Sequence, residues 1–373
     1  MSEVEIRPAR LPQDTMKFIK SWWPIYESDP LWVPPLISER KAFFNPKKNP
    51  YFKFADVQCF MAYRNGKVVG TIAATVDHSY QDTDRGMGLF GFFEFVNDQS
   101  VASALLDAAE VWLKDKGMDR MMGPFNLSSN HEFGLLVDGF DTPPCIANPH
   151  NHAYYKDIYE ACGLKGNMDW YAYWLTNTGD TPKKISRVSA FIERRHPELS
   201  LRTVNLKNFD EEVKILHEIY NDAWEENWGH MHMSDEEFFH LVKGFKSIVD
   251  ESLCWIAEID GVPAALSITL PDYNQVAKKM NGRIFPFGWY HFLVGRKKID
   301  ALRIFILGVK KEFQHLPIGA PLYNATFKRG HEMGVRGAEA SLILESNHRM
   351  RGALEKMGAE IYKTYRTYER NLG

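Results

Sequence analysis

Between Gln314 and Ala320 the chain reads Gln-His-Leu-Pro-Ile-Gly-Ala and runs directly into a helix-like segment. A helix N-terminus carries unpaired N–H groups and a partial positive charge, so this junction suits a pyrophosphate. Gly319 and Ala320 keep bulk away from an approaching phosphate, while Pro317 stiffens the loop and withholds a donor. An ordinary capped helix is the competing reading. Other residues of chemical interest are scattered. Glu345 closes the segment Gly-Ala-Glu-Ala-Ser-Leu-Ile-Leu. His131 and Glu132 open a stretch dense in Gly, Pro, Asn and His, which suits a loop over a site, with turn formation as the alternative. His150 and His152 form one His-x-His pair, His230 and His232 another. Neither has a Cys or carboxylate at convincing ligand spacing, so no metal is expected.

The elements that must position these groups occur twice. Leu105–Asn130 superposes without a gap on Leu322–Asn347, bringing Gly117 onto Gly334 and Ser128 onto Glu345. A second block aligns Cys59 with Cys254 and Gly66 with Gly261. Internal duplication of this kind decides architecture. Each copy reads β-α-α-β-β-β-α-β-α-β, which predicts two α/β domains of one fold: 1–178, a linker with a helix at 179–199, and 200–373. Asn65-Gly66 and Asp260-Gly261 mark the hairpins. Ser100–Lys116 and Ala320–Met333 read as amphipathic helices, each followed by glycine. The second copy holds an additional stretch at about 271–296, rich in aromatics and followed by Arg296-Lys297-Lys298. The first has its own aromatic segment, with Trp22, Trp23 and Trp32 among prolines.

Bulk properties exclude several classes. The 373 residues are 45% hydrophobic and 25% charged, with a net charge of -3, so nothing general favours nucleic acid or an anionic membrane. The four cysteines lack Cys-x-x-Cys spacing and are expected as buried thiols. No apolar run approaches the roughly 18 residues of a membrane span, and the start has no signal-peptide core. A cytoplasmic protein is the expectation, with peripheral contact to the inner membrane left open.

Element order, the Gln314–Ala320 loop and the run from strand ALRIFILGV to Glu345-Ser346-Asn347 resemble the GNAT acyltransferase superfamily across nearly the full chain. The family's Gln/Arg-x-x-Gly-x-Gly/Ala loop is present with Pro317 in place of the first glycine. The stretches FEFVNDQSVASALLDAAEVWLKDKG, NPHNHAYY and YNDAWEENWG further resemble the bacterial ceramide synthase group of tandem GNAT-like proteins. The resemblance implies α/β (α+β) domains, each a mixed, mostly antiparallel sheet flanked by helices. It implies acyl-CoA as co-substrate, with no tightly bound cofactor, and transfer of a long acyl chain to the amine of a sphingoid base.

The resemblance also distributes roles. Coenzyme A is expected in the second copy, on Gln314, His315, Leu316, Ile318, Gly319 and Ala320, with Asn347 on the pantetheine arm. The first copy has Asp98 where the second has His315, and a carboxylate there caps the helix and repels phosphate. An N–H near Leu307-Gly308-Val309 is expected to polarise the thioester, Gly308 permitting a strand distortion. Glu345, His131 and Glu132 are the candidate bases. The family's acid tyrosine is missing from the second copy, where Leu354 stands, which leaves Tyr362 or Tyr365 as substitutes. Asn221, Trp224, Asn227 and Trp228 fall where the family places a substrate loop. His150, His152 and Tyr154 are further substrate-side candidates. The aromatic insertion reads either as a lid packed on its own domain or as a membrane-interface segment. Two alternatives stand beside the lipid reading: N-acylation of a small amine, amino acid or peptide, and a non-catalytic acyl-CoA or lipid-binding module.

Overall fold

The structure, a computed structural model, describes residues 3–224, 231 and 233–373. The first half of the chain runs β1 (Glu5–Ala9), α1 (Thr15–Lys20), α2 (Trp22–Ile25), α3 (Ile37–Phe43), β2 (Ala55–Arg64), β3 (Lys67–Asp77), β4 (Met87–Phe95), α4 (Gln99–Asp115), β5 (Arg120–Gly123), β6 (Leu135–Asp138), α5 (Tyr154–Ala161) and β7 (Lys165–Thr176). The second half runs α6 (Lys183–Arg195), β8 (Leu199–Thr203), α7 (Phe209–Trp224), α8 (Asp235–Phe245), β9 (Cys254–Ile259), β10 (Val262–Pro271), α9 (Asn274–Met280), α10 (Gly288–Gly295), β11 (Ala301–Val309), α11 (Gly319–Met333), β12 (Gly337–Leu344), α12 (His348–Lys356) and β13 (Glu360–Asn371).

Two compact units result. Unit 1 gathers the chain up to Trp170 together with Asn274–Gly295 and Lys363–Gly373; unit 2 holds Tyr171–Tyr273 and Arg296–Tyr362. In unit 1 the sheet order is β1-β2-β3-β4-β5, with the last residues of β13 beside β5; every pair is antiparallel except β4 with β5. Unit 2 repeats this as β8-β9-β10-β11-β12, and again only the last pair is parallel. The parallel registers are the same in both copies: Met87 faces Arg120 and Ala301 faces Gly337.

Local chemistry explains the elements that sequence predicts. Asn65 and Gly66, and likewise Asp260 and Gly261, all have positive φ, the pair of left-handed residues that a tight type I′ hairpin needs. Helix α4 buries Val101, Leu105, Leu106, Ala109 and Leu113 against Phe90, Phe93 and Phe95. In unit 2, α11 sets Ile318 and Leu322 on Ala257, Ala264 and Ala265. A buried leucine of this kind is worth roughly 2–5 kcal/mol against alanine.

Three stretches depart from the sequence expectation. The strand after α4 stops at Gly123, because Pro124 follows and Phe125 makes only an isolated bridge to Phe133. Leu135–Asp138, within the stretch read as irregular, is a strand because its partner is β13, far away in sequence, with Leu136 opposite Tyr365. The additional stretch of the second copy folds as α9 and α10 and belongs to unit 1.

Candidate active site

In unit 2, β11 and β12 start as parallel neighbours and part. Their pairing runs from Ala301–Gly337 to Ile304–Ala340, whereas β11 continues to Val309 and β12 to Leu344. Beyond that pair the two strands present backbone N–H and C=O groups towards a gap. The β10–β11 register shifts between Ile268 and Thr269, which leaves Phe305 as the bulged residue. The expected distortion at Gly308 is therefore corrected: Leu307, Gly308 and Val309 sit in regular register with Ser267, Leu266 and Ala265. The bulge falls where the strands separate, since an extra residue bends one strand away from its neighbour.

From the end of β11 the chain runs through the loop 310–318 into the first turn of α11, and here the copies differ. In unit 1, Asp98 caps α4 by accepting from Ser100 N at 2.8 Å, and Arg64 pairs with it at 2.7 Å. The Ser100 hydroxyl and the Arg64 guanidinium hold the Asp98 carboxyl down at about 2. In unit 2 the N-cap residue of α11 is Ile318, which gives no side-chain cap hydrogen bond. Gly319 is open, a Cβ there meeting only the Tyr323 ring at 3.9 Å. Gln314 braces the loop by donating to Val309 O at 3.2 Å, and His315 is exposed. Leu316 and Ala320 spend their N–H groups inside the loop, on Phe313 O and Pro317 O. Arg349 donates to Gln314 O at 3.0 Å, which sets a guanidinium at the loop's edge that sequence reasoning passed over.

One register step before the strands part lies a buried polar cluster. Arg303 faces Glu339 across the β11–β12 pair, with Nε 3.7 Å from the carboxylate and side-chain exposures of 6% and 0%. Tyr362 and Ser341 both donate hydroxyl hydrogen bonds to Glu339. The corresponding parallel pair of unit 1, Leu89 with Met122, is apolar and buried. Sequence reasoning missed Glu339, although its repeat partner Met122 was a usable signal: a carboxylate replaces a core residue in one copy only. Of the two tyrosines weighed as proton donors, Tyr362 reaches this cluster. Tyr365 does not share its unit, because β13 passes into unit 1 after Tyr362; Tyr365 is fully buried, with Gly134 against its side chain.

Glu345 stands in the turn after β12, its carbonyl accepting from Arg351 at 2.6 Å. Asn347 uses its side-chain oxygen to cap α12 through Met350 N at 3.0 Å. Asn221 is hydrogen-bonded to His217 at 2.9 Å on α7. Asn227, Trp228, His230, His232 and the Trp224 side chain lie outside the described residues.

Unit 1 collects the remaining candidates in two places. Glu132 is bound by the Arg40 guanidinium at 2.5 Å, and His131 meets Ser128 Oγ at 3.0 Å while packed edge-on against Phe43 and Tyr51. Both anchor the turn after β5, where Asn126 accepts from Phe92 N at 2.8 Å and bridges the equivalent strand gap. Gly91 is required there, since a Cβ would fall 1.7 Å from Phe125 O. Elsewhere, His150 contacts Asp29 at 2.7 Å, and His152 contacts Ile25 O at 2.8 Å while stacking on Tyr26 and Tyr154. Tyr154 donates to Phe95 O at 2.7 Å. Beside them Glu94 accepts from Tyr26 at 2.6 Å and Tyr155 at 2.9 Å. Burial pushes the Glu94 carboxyl up to about 7, against the lowering effect of both hydroxyls. Burial likewise lowers His150, despite Asp29. Glu94 escaped sequence reasoning because one carboxylate in an aromatic strand reads as its solvent face. Among the described residues, no group of three His, Cys, Asp or Glu side chains is placed to hold a metal.

Comparison with known proteins bears on the fold and the family. The Acetyltransferase (GNAT) family pattern matches residues 19–132, within unit 1. The chain is 37% identical over 380 residues to the bacterial ceramide synthase of Caulobacter vibrioides, covering 100% of this chain and 98% of that protein. It is 35% identical over 367 residues to protein YghO of Escherichia coli, covering 96% and 93%. Among solved structures, a tandem GNAT protein from the clavulanic acid biosynthesis pathway superposes with a TM-score of 0.59 at 14% identity, covering 100% of this chain and 99% of that one. The likeness to that structure is one of fold, and the two repeated units are two GNAT-like domains. The protein is an N-acyltransferase, and it belongs to the family of tandem GNAT proteins that includes the Caulobacter vibrioides bacterial ceramide synthase.

Proposed function

We propose that the protein joins a long acyl chain, delivered as its coenzyme A thioester, to the amine of a sphingoid base. The observation that carries this reading is the contrast between copies: in unit 2 Ile318 gives α11 no side-chain cap and β11 and β12 part unbridged after Ile304–Ala340, where unit 1 has a carboxylate cap and Asn126 joined to Phe92. The pyrophosphate then lies on the first turn of α11, with Gly319 admitting it and Arg349 supplying a cation. The thioester lies between β11 and β12, where a backbone N–H freed by the Phe305 bulge polarises its carbonyl. The lipid acceptor is argued from the full-length likeness to a protein named bacterial ceramide synthase.

Chemically, the amine must first lose a proton; it then attacks the thioester carbon, the C–N bond forms, the C–S bond breaks, and the departing thiolate takes a proton. Glu339 and Tyr362 are assigned this proton traffic, with Arg303 holding Glu339 in place. Glu345, beside the end of β12, remains the second candidate base. Another reading is favoured by Glu94, whose carboxyl is poised near neutrality in unit 1 and would serve as the base there.

The test is turnover of long-chain acyl-CoA with sphinganine or its 3-keto form, following the amide by mass spectrometry and free thiol by absorbance. Thiol release only with short acyl donors refutes the ceramide assignment. Tight acyl-CoA binding without any turnover favours a binding module. A Glu339→Gln variant that keeps full kcat while Glu94→Gln loses it moves the base to unit 1.

A further inference from the structure

The insertion between β10 and β11 leaves the sheet of its own copy and is anchored in unit 1 on the aromatic, proline-rich segment. Trp23 donates to Asn281 Oδ1 at 2.7 Å, and Ile37 N donates to Gly282 O at 2.9 Å. Gly282 admits the Trp23 ring, which would lie 2.6 Å from a Cβ. Lys278 reaches Pro30 O, and Asn274 donates to Pro144 O at 2.9 Å. These contacts hold α9 and the loop after it, and they turn the following side chains outward. Phe285 is 76% exposed and Phe287 70%, with Trp289, Tyr290, Leu293 and Val294 exposed behind them. So many large apolar side chains bared in one short segment mark an interaction surface.

Charge identifies the occupant. Lys278, Lys279 and Arg283 lie in this segment, Arg296-Lys297-Lys298 follow in sequence, and no Asp or Glu occurs from 274 to 298. A chain of net charge -3 thus places a run of cations, without a carboxylate between them, next in sequence to Phe285 and Phe287, the most exposed large apolar side chains among the described residues. We infer that α9, α10 and the loop joining them dock on an anionic lipid bilayer, with Phe285 and Phe287 entering the acyl boundary and the cations on the headgroups. The inference deepens the lipid-acceptor reading and rests on it for its purpose, since a sphingoid base and a long acyl chain are supplied from a membrane.

Sedimentation of the full chain with vesicles tests it without any substrate. Wild type binds phosphatidylglycerol-containing vesicles, binds pure phosphatidylcholine far less, and is released by salt. A Lys279→Gln/Arg283→Gln variant binds the anionic vesicles roughly 25-fold more weakly, from about five-fold per cation. A Phe285→Ser/Phe287→Ser variant falls by at least about ten-fold with its melting temperature unchanged. Equal binding to both vesicle types, or no loss in either variant, overturns the proposal. So does a wild-type dimer that the Phe285→Ser/Phe287→Ser change converts to monomer, because the patch then covers a second copy. Turnover in detergent micelles separates the two readings. Micellar amide formation without vesicle binding removes the docking surface alone. Anionic vesicle binding that both variants lose, with no acylation of any lipid amine, leaves the docking surface and removes the lipid acceptor.

Discussion

Placing a carboxylate at Gly319 should strengthen the helix and weaken the coenzyme site. The position is open, with only the Tyr323 ring at 3.9 Å from a Cβ, so Gly319→Asp introduces no clash. Ile318 gives helix α11 no side-chain cap, and an acidic group in its first turn is worth about 0.3–1 kcal/mol of stability. The same charge repels a bound pyrophosphate. At about 5 Å and an effective dielectric near 20, one pair of unit charges costs about 3 kcal/mol, or roughly a hundred-fold in affinity. The two effects therefore have opposite signs. Calorimetric titration with coenzyme A should show about a hundred-fold weaker binding, while thermal unfolding shows an equal or higher melting temperature. Gly319→Ala is the control and should bind within a few-fold of wild type. In unit 1, Asp98→Ala should lower stability by about 1 kcal/mol through loss of the cap while leaving coenzyme A affinity intact. Undiminished affinity in Gly319→Asp, or loss in Asp98→Ala, would refute the placement of coenzyme A on α11.

Further outcomes can be checked directly. Tyr362→Phe and Glu339→Gln should each lower kcat by roughly 10²–10⁴-fold with little change in KM for acyl-CoA, measured by thiol release. Arg303→Leu alone strands the buried Glu339 and should destabilise the protein by about 3–5 kcal/mol in denaturant titration. The double change Arg303→Leu/Glu339→Met, which installs the pair of unit 1, should recover most of that loss. Glu94 gives a pH signature. Its folded carboxyl keeps a proton up to about 7, whereas the unfolded chain releases it near 4.5, so its contribution is most favourable below 4.5 and is lost as pH rises through 7. Glu94→Gln should gain stability relative to wild type across that window, by at most about 3 kcal/mol, in thermal melts at pH 5 and pH 8.

Legibility followed the range of the interaction. The hairpins at Asn65-Gly66 and Asp260-Gly261, the helices after Asp98 and Ile318, and the contrast between Asp98 and His315 are local, and all could be read from neighbouring residue types. Asp98 acts as a cap because its own next two residues supply the N–H it needs. Leu135–Asp138 could not be read as a strand, since only β13 makes it one. Tyr365 looked equivalent to Tyr362 for a similar reason: the two differ by which unit β13 has entered, and nothing nearby in sequence records that passage.

By itself, then, the sequence determined the duplication, the hairpins and helices that the two copies share and which copy has a carboxylate cap on its helix, because periodicity, turn residues and capping act over a few positions. Tertiary structure alone decided the partners. It brought Glu339 to Arg303 and Tyr362, moved the distortion of β11 to Phe305, and seated the insertion of the second copy on Trp23 and Ile37 of unit 1. Each of these depends on strand register or on packing between residues far apart in the chain, where burial and hydrogen-bond satisfaction over the whole unit select one arrangement that no short stretch specifies.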